Sequence, residues 1–374
     1  MNINYAQHFI DDEEIEAVFE LLKDGWLARG PILDQFEDAF TKYIGCSHSI
    51  SCVNGSASLE IILRALGIGD GDEVIVPNVT WVSTASAVNL TGAVPVLCDI
   101  SSHLPNLCIH EVETCITPRT KAIIPVHFAG ISIDMEAYHQ LCQRYGLHLI
   151  EDAAHAVGGH YEDGTKIGSS PLSIAASFSF HPAKNMTTGE GGMITTRDKN
   201  LAQKLAKIRS NGVIRNANNG IGKAMYDCTE IASNYHLNGL AASLGICQLK
   251  RLDEFVSKRQ MLWETYAGLL DGIPNINLIP HPQSSAFNLC IITVKKNRDD
   301  LLVWLNNEGV GAYYHYPLLS ELTVYKDQKK CRFGNDFSNA LEYNKTALTL
   351  PLHPSLDKEH IEYIVDTIKK WLDQ

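Results

Sequence analysis

Short apolar runs alternate with stretches of helical period along most of this chain. Strand-like runs fall at 73–76 (EVIV), 94–99, 121–126 (KAIIPV), 147–152 (LHLIED), 174–180 (IAASFSF) and 193–196. Residues 80–91 and 134–145 between them read as helices. Strand and helix in alternation predict an α/β fold, a mostly parallel sheet with helices on both faces. A long helical stretch follows at 240–272, then a strand at 289–294 and helices near 298–308, 336–347 and 357–373. The pattern divides into a large α/β domain over residues 1–250 and a smaller C-terminal α/β domain over residues 251–374. The first residues are expected to pack on the smaller one.

Composition narrows the class of function. Of the 374 residues 45% are hydrophobic and 20% charged, as in an ordinary globular chain. The net charge of −12 argues against nucleic acid or an anionic membrane as partner. An anionic small molecule would need a local patch or backbone donors. No apolar run reaches the ~18 residues of a membrane span. The N-terminal stretch MNINYAQHFIDDEEIEAV is polar and acidic, without the apolar core of a signal peptide. The 10 cysteines form no CxxC pair and no metal-finger spacing. They read as free thiols in a cytoplasmic protein, with no metal site expected.

Candidate chemistry starts at one lysine. In SFSFHPAKNMTTGEGGMITT, Lys184 follows a strand and precedes GEGG, whose glycines permit tight backbone geometry. It lies in a loop between two core strands, where functional groups collect. A lysine held there loses its proton more readily and can attack a carbonyl as a neutral amine. Asp152 closes LHLIED, so both groups sit at carboxyl ends of strands, the ligand edge of an open parallel sheet. A third segment, VNGSASLEIILRAL at 53–66, runs from small residues into an amphipathic helix. Its start suits a phosphate, or is a plain N-cap by Ser56 or Ser58.

Together the three parts meet the needs of pyridoxal 5′-phosphate: a lysine for its aldehyde, a carboxylate for its ring nitrogen and a cup for its phosphate. Trp81, in PNVTWVST, could cover the ring.

The ordered segments NGSAS, PNVTWVST, PVHFAG, EDAAHAVGG, SFHPAKNMTTGEGG and SNYHLNGLAASLGICQL resemble the DegT/DnrJ/EryC1/StrS family of sugar aminotransferases. The resemblance implies the aspartate aminotransferase-like (type I) fold and a homodimer with shared active sites. It implies that Lys184 carries the cofactor and that Asp152 meets the ring nitrogen. His155 takes the place beside the ring hydroxyl, unless it is a structural histidine. Ser56, Ala57 and Ser179 match the phosphate cup, Trp81 the stacking aromatic, and Asn234 the asparagine that reaches the neighbouring subunit's phosphate. His127 and His181 read as scaffolding, and Glu190 as the anchor of its own turn.

Two departures bear on substrate. Many relatives read NYR where this chain has Asn234-Tyr235-His236, which puts an imidazole titrating near neutral pH in place of a fixed cation. GAYYHYPLLSEL resembles the family's HY-x-P segment without the residue between Tyr316 and Pro317. His236, His315 and Tyr316 are therefore the candidate substrate contacts. The expected reaction moves an amino group from an amino acid, glutamate, to a keto sugar.

The lysine motif resembles that of the 4-aminotransferases of pseudaminic acid synthesis, which favours a nucleotide-linked 4-keto-6-deoxy hexose. NGSASLEIILRALGIGDGDEVIVP and SNYHLN are more similar to inosose-type enzymes, the competing reading. A non-catalytic sugar- or cofactor-binding regulator is a further alternative, against which Lys184 and Asp152 argue. Lys184 also argues against a dehydratase of the same fold, in which histidine replaces the lysine.

Overall fold

The computed structural model describes residues 1–214 and 226–374. Its helices are α1 (Asp12–Asp24), α2 (Pro31–Ile44), α3 (Gly55–Ala65), α4 (Ser83–Leu90), α5 (Ile109–Cys115), α6 (Met135–Tyr145), α7 (Lys199–Arg209), α8 (Gly239–Leu270), α9 (Arg298–Asn307), α10 (Ser338–Thr346) and α11 (Lys358–Leu372). The strands through the first half are β1 (His48–Cys52), β2 (Glu73–Pro77), β3 (Val94–Cys98), β4 (Thr120–Ile123), β5 (His148–Asp152), β6 (Ala175–Ser179) and β7 (Gly192–Thr196). There follow β8 (Val213–Ile214), β9 (Asp227–Cys228), β10 (Ile276–Leu278), β11 (Cys290–Val294), β12 (Arg332–Phe333) and β13 (Ala347–Leu350).

Eight strands form one sheet in the order β1-β7-β6-β5-β4-β2-β3-β12. All neighbouring pairs are parallel except the two made by β7. The sheet is covered on both faces, the arrangement expected from the alternation of elements. Helices α3, α4 and α7 pack on one face around Ile61, Val88 and Leu205. Helices α2, α6 and α8 pack on the other around Phe36, Leu141 and Leu252.

Local chemistry starts the helices. A capping box joins Asp11 and Glu14 at α1, Pro31 opens α2, and Asn54 caps α3 by accepting the N–H of Ala57. The cap of α3 is thus Asn54, one position upstream of Gly55, and neither Ser56 nor Ser58. On α2 the buried stripe Leu33, Phe36, Phe40 and Ile44 recurs at helical spacing.

A second sheet pairs β10, β11 and β13, all antiparallel, and packs with α9 and α11. The first residues join this region: Ile3 N–H donates to Gly309 O at 2.8 Å, and Gly311 N–H donates to Ile3 O at 2.7 Å. Helix α8 runs 32 residues, through position 250 without a break. Its buried Arg259 donates to the carbonyls of Asn288 and Leu352. No helix of the described residues is long and apolar enough to cross a membrane.

Candidate active site

Strands β2, β4, β5 and β6 run parallel, so their carboxyl ends open on one edge of the sheet. This edge gathers Trp81 and, in the first turn of α4, Thr84 after β2, His127 after β4, Asp152 at the end of β5 with His155 after it, and Ser179 at the end of β6 with Lys184 after it. Strand β1 points the same way, because β7 is antiparallel to both β1 and β6. It delivers the N-terminus of α3 to the same edge.

Glycines let these parts close up. A Cβ on Gly192 would sit 2.5 Å from the Asn54 carbonyl oxygen, so only glycine lets β7 pass against the start of α3. Gly189 takes φ +80°, the left-handed turn that returns the Lys184 loop to β7. That turn is tied by the Thr188 hydroxyl donating to Glu190 O at 2.8 Å and by Gly189 N–H donating to the Thr187 hydroxyl at 3.0 Å. The Glu190 side chain is exposed. The threonines hold the turn where the sequence suggested the glutamate.

Asp152 is 5% exposed. Its Oδ1 accepts the N–H of Ala154 at 3.1 Å, and its Oδ2 accepts the Thr84 hydroxyl at 2.9 Å. Burial lifts its pKa above the ordinary carboxylate value, opposed by these two donors and by Lys184 and His127. Lys184 is half-buried. Desolvation of its amine pushes its pKa down to about 8, against the pull of Asp152. A large neutral fraction near pH 8 is what a lysine nucleophile requires.

His155 Nδ1 accepts the N–H of Ala129 at 3.3 Å, and Nε2 lies 3.0 Å from the Tyr316 hydroxyl. Burial, then the charges of Lys184 and His315, hold the ring far below its ordinary pKa, so it is neutral. His315 is buried between the Tyr5 hydroxyl (Nε2, 3.1 Å) and the Thr349 hydroxyl (Nδ1, 2.9 Å). Its pKa falls to about 3, from burial and the nearby Lys184. Trp81 stands 57% exposed, 5.7 Å from the Tyr316 ring between centroids.

Behind Asp152, His127 and Glu151 form a buried pair at 2.7 Å. The hydroxyls of Tyr161 (2.5 Å) and Ser173 donate to the same carboxylate. His127 N–H also donates to Asp152 O at 3.0 Å, which ties the end of β4 to the end of β5.

At the start of α3 the Asn54 cap takes the N–H of Ala57 at 2.8 Å. The N–H groups of Gly55 and Ser56 have no acceptor among the described residues. Ser179 adjoins them, since a Cβ on Gly55 would sit 2.9 Å from its Cβ. Two free donors at a helix N-terminus form an anion cradle. With a neutralisable lysine, an anchored carboxylate and an uncovered indole face, this donor set fits pyridoxal phosphate. Gly55 and Ser56 would hold its phosphate, Asp152 its ring nitrogen and Lys184 its aldehyde carbon, while the amide of Ala57, expected in the cup, is taken by the Asn54 cap.

Asn234 and His236 are placed otherwise. Asn234 is exposed, bridges to Ser210 and accepts the N–H of His236 at 3.1 Å. His236 lines a cleft of about 880 Å³ with Arg29, Lys204, Lys207 and Arg209. No hydrogen bond joins either residue to Lys184, Asp152 or His155 of the same chain. The expected neutral-range titration of His236 is not met. Burial, then Arg209 and Arg29, push its pKa down to about 4.

Sequence reasoning did not name Thr84, Thr80, Tyr5, Thr349 or Glu151. Isolated hydroxyls and an acidic residue in a strand carry no local pattern, and only their partners reveal them.

Comparison with known proteins agrees with this geometry. The model of the DegT/DnrJ/EryC1/StrS aminotransferase family matches residues 8–369. The spore coat polysaccharide biosynthesis protein SpsC of Bacillus subtilis (strain 168) is 35% identical over 98% of this chain and 96% of its own. Among solved structures, Helicobacter pylori PseC, an aminotransferase involved in the biosynthesis of pseudoaminic acid, superposes with TM-score 0.92 at 26% identity over 99% of each chain. The aminotransferase TlmJ from Streptoalloteichus hindustanus superposes with TM-score 0.92 at 30% identity, over 100% of this chain and 99% of its own. With a lysine, a carboxylate and a helix start with free N–H groups at one sheet edge and a family model matched almost end to end, this protein belongs to the DegT/DnrJ/EryC1/StrS family as a pyridoxal phosphate-dependent aminotransferase of the aspartate aminotransferase-like fold.

Proposed function

We propose that this protein transfers an amino group from glutamate to the keto group of a sugar, with a nucleotide-linked 4-keto-6-deoxy hexose as the first choice of acceptor. The observation that carries the chemistry is Lys184, an amine desolvated to a pKa of about 8 beside the anchored carboxylate of Asp152. Support for a sugar acceptor comes from the relatives, one named for polysaccharide biosynthesis and one for pseudoaminic acid biosynthesis.

Bound pyridoxal phosphate supplies an aldehyde and an electron-accepting ring. The remaining work falls to the chain. The N–H groups of Gly55 and Ser56, with Ser179, would hold the phosphate. Asp152, held by Thr84 and Ala154, would meet the ring nitrogen and favour its protonated form. Trp81 would cover one ring face, and His155 would stand beside the ring hydroxyl. Lys184 would take the proton from the donor Cα and deliver it to the cofactor's aldehyde carbon, as a general base and then acid. Tyr316 would line the acceptor side, with His315 packed against it and held by Tyr5 and Thr349.

We take the working unit to be a homodimer, with Asn234 and His236 of each copy serving the site of the other. Support is that neither residue hydrogen-bonds Lys184, Asp152 or His155 of its own chain, although Tyr235 between them accepts the Val53 N–H beside the start of α3. A further support is the exposed apolar row Ile15, Phe19, Leu22 and Trp26 on and just after α1.

The test loads the protein with pyridoxamine phosphate and offers keto compounds while following loss of its absorbance. A nucleotide-linked 4-keto-6-deoxy hexose should discharge it, and glutamate should restore it. Discharge by an inosose alone would move the assignment to the cyclitol class. Discharge by keto acids alone would overturn the sugar reading.

A further inference from the structure

Thr84 lies in the first turn of α4 and is 1% exposed. Its side chain is not spent on the helix. The cap position is Val82, with no side-chain bond, and Thr84 N–H donates to Trp81 O. The hydroxyl instead reaches across to Asp152 Oδ2 at 2.9 Å. A hydroxyl has one proton and a carboxylate only accepts, so that proton belongs to Asp152. The contact of 2.9 Å between Thr84 and Thr80 must then run with Thr80 donating. The result is a one-way chain, Thr80 to Thr84 to Asp152, in which each bond polarises the next.

On its other oxygen the carboxylate holds only the N–H of Ala154. The charged and titratable groups around it are Lys184 from the loop after β6, His127 from the end of β4 and the Tyr316 hydroxyl from the segment after α9. Thr84 is thus the one side-chain hydroxyl that donates directly to Asp152 among the described residues.

We propose that Thr84, backed by Thr80, is a positioning residue that orients the Asp152 carboxylate and keeps it charged for the cofactor's ring nitrogen. This inference rests on the reading of Asp152 as the ring-nitrogen partner. Removing the donor disfavours the charged form of the carboxylate. Asp152 then takes up a proton at higher pH, and the ring nitrogen loses its counter-charge.

The test compares Thr84→Val, Thr84→Ser and Thr80→Val in cofactor-free protein. It reads the Kd for pyridoxal phosphate against pH and the 15N signal of ring-labelled cofactor once bound. Thr84→Val should weaken binding about 10-fold at neutral pH, the effect of one hydrogen bond to a charged group. The acid limb of its affinity profile should move to higher pH, and the ring signal should move toward the unprotonated position. Thr84→Ser should stay within about 3-fold of the parent, and Thr80→Val should fall between. In an Asp152→Asn background Thr84→Val should add less than about 2-fold, because the partner is gone.

Unchanged affinity and ring signal in Thr84→Val would overturn the proposal. So would a Thr84→Ser variant as impaired as Thr84→Val, or a loss that persists undiminished beside Asp152→Asn. If Asp152→Asn itself leaves affinity and ring signal intact, the reading of Asp152 falls and takes this inference with it. If Asp152→Asn changes both and Thr84→Val changes neither, only the inference falls.

Discussion

The Nε2 atom of His155 lies 3.0 Å from the hydroxyl of Tyr316, and the direction of that bond is fixed. Nδ1 already accepts the N–H of Ala129, and burial keeps the ring neutral, so the single imidazole proton is on Nε2. Nε2–H therefore donates to the tyrosine oxygen. The Tyr316 proton has no acceptor among the described residues and is free for a ligand beside Trp81. Tyr316→Phe should raise the acceptor KM about 10-fold, the cost of one hydrogen bond, while the Kd for the cofactor stays within about 3-fold. Steady-state kinetics and a cofactor titration check the split. An unchanged KM would leave Tyr316 a support for His155 alone.

Lys184 and Asp152 each stabilise the other's charged form, and the sign gives a pH prediction. Burial pushes the amine down to about 8, while the aspartate holds it up. Asp152→Asn should therefore lower the Lys184 pKa below 8 in cofactor-free protein. Peptide-resolved acylation of Lys184 across pH 6–11 reads the midpoint, and an upward shift would contradict the assigned sign. Turnover of the same variant should fall at least about 10-fold, because an amide carries no charge to hold the ring proton. Lys184→Ala should lose at least about 10³-fold. Borohydride should fix the cofactor to the peptide with Lys184 in the parent and to no lysine in this variant.

Glu151 is buried on the strand that presents Asp152, with three side-chain donors on its carboxylate: His127, Tyr161 and Ser173. Glu151→Leu strands all three and should cost roughly 3 kcal/mol or more in folding stability. Tyr161→Phe removes one donor and should cost about 1 kcal/mol. Urea unfolding of both variants measures the difference, and equal losses would mean that the carboxylate is not the hub of the cluster.

Burial, then Arg209 and Arg29, push the His236 pKa down to about 4, so the ring is neutral for the most part across the working pH range. The acceptor KM should therefore show no step across pH 6–8 that His236→Gln abolishes. Protonation begins only as pH falls toward 4, outside the working range. A KM step near pH 6.5 present in the parent and missing in His236→Gln would show that the ring recovers an ordinary pKa in the working assembly.

Shared sites can be tested without a substrate of known identity beyond one active pair. Lys184→Ala and Asn234→Ala are each expected to be inactive or nearly so. After verified subunit exchange, mixing them should restore up to about one quarter of parental activity. Half of the dimers are then mixed, and each of these holds one intact site out of two. No recovery after proven exchange would place Asn234 in its own chain's site.

Much of the framework was legible because it is written in local periodicity. The apolar runs at 73–76, 147–152 and 174–180 became β2, β5 and β6. Lys184 and Asp152 stood out because strand ends in a parallel sheet all open on one edge. The helix expected over 80–91 starts later, at Ser83. The segment before it is held by long-range bonds, Leu319 N–H to Asn78 O and Ser320 N–H to Asn78 Oδ1. No local propensity reports such partners.

The sequence by itself determined the class of fold, and it singled out the lysine, the aspartate and a helix start suited to a phosphate as candidates, since each depends on neighbours a few residues away. Only the tertiary structure decided that Thr84 holds Asp152 and that Tyr5 meets His315 across 310 positions of chain. It also lowered the His236 pKa, through burial beside Arg209 and Arg29. The Thr84–Asp152 contact follows from the order β1-β7-β6-β5-β4-β2-β3-β12, which sets the ends of β2 and β5 on one edge. Hydrogen bonds and desolvation act through space over a few ångströms, and a pattern of apolar and polar positions records distance along the chain alone.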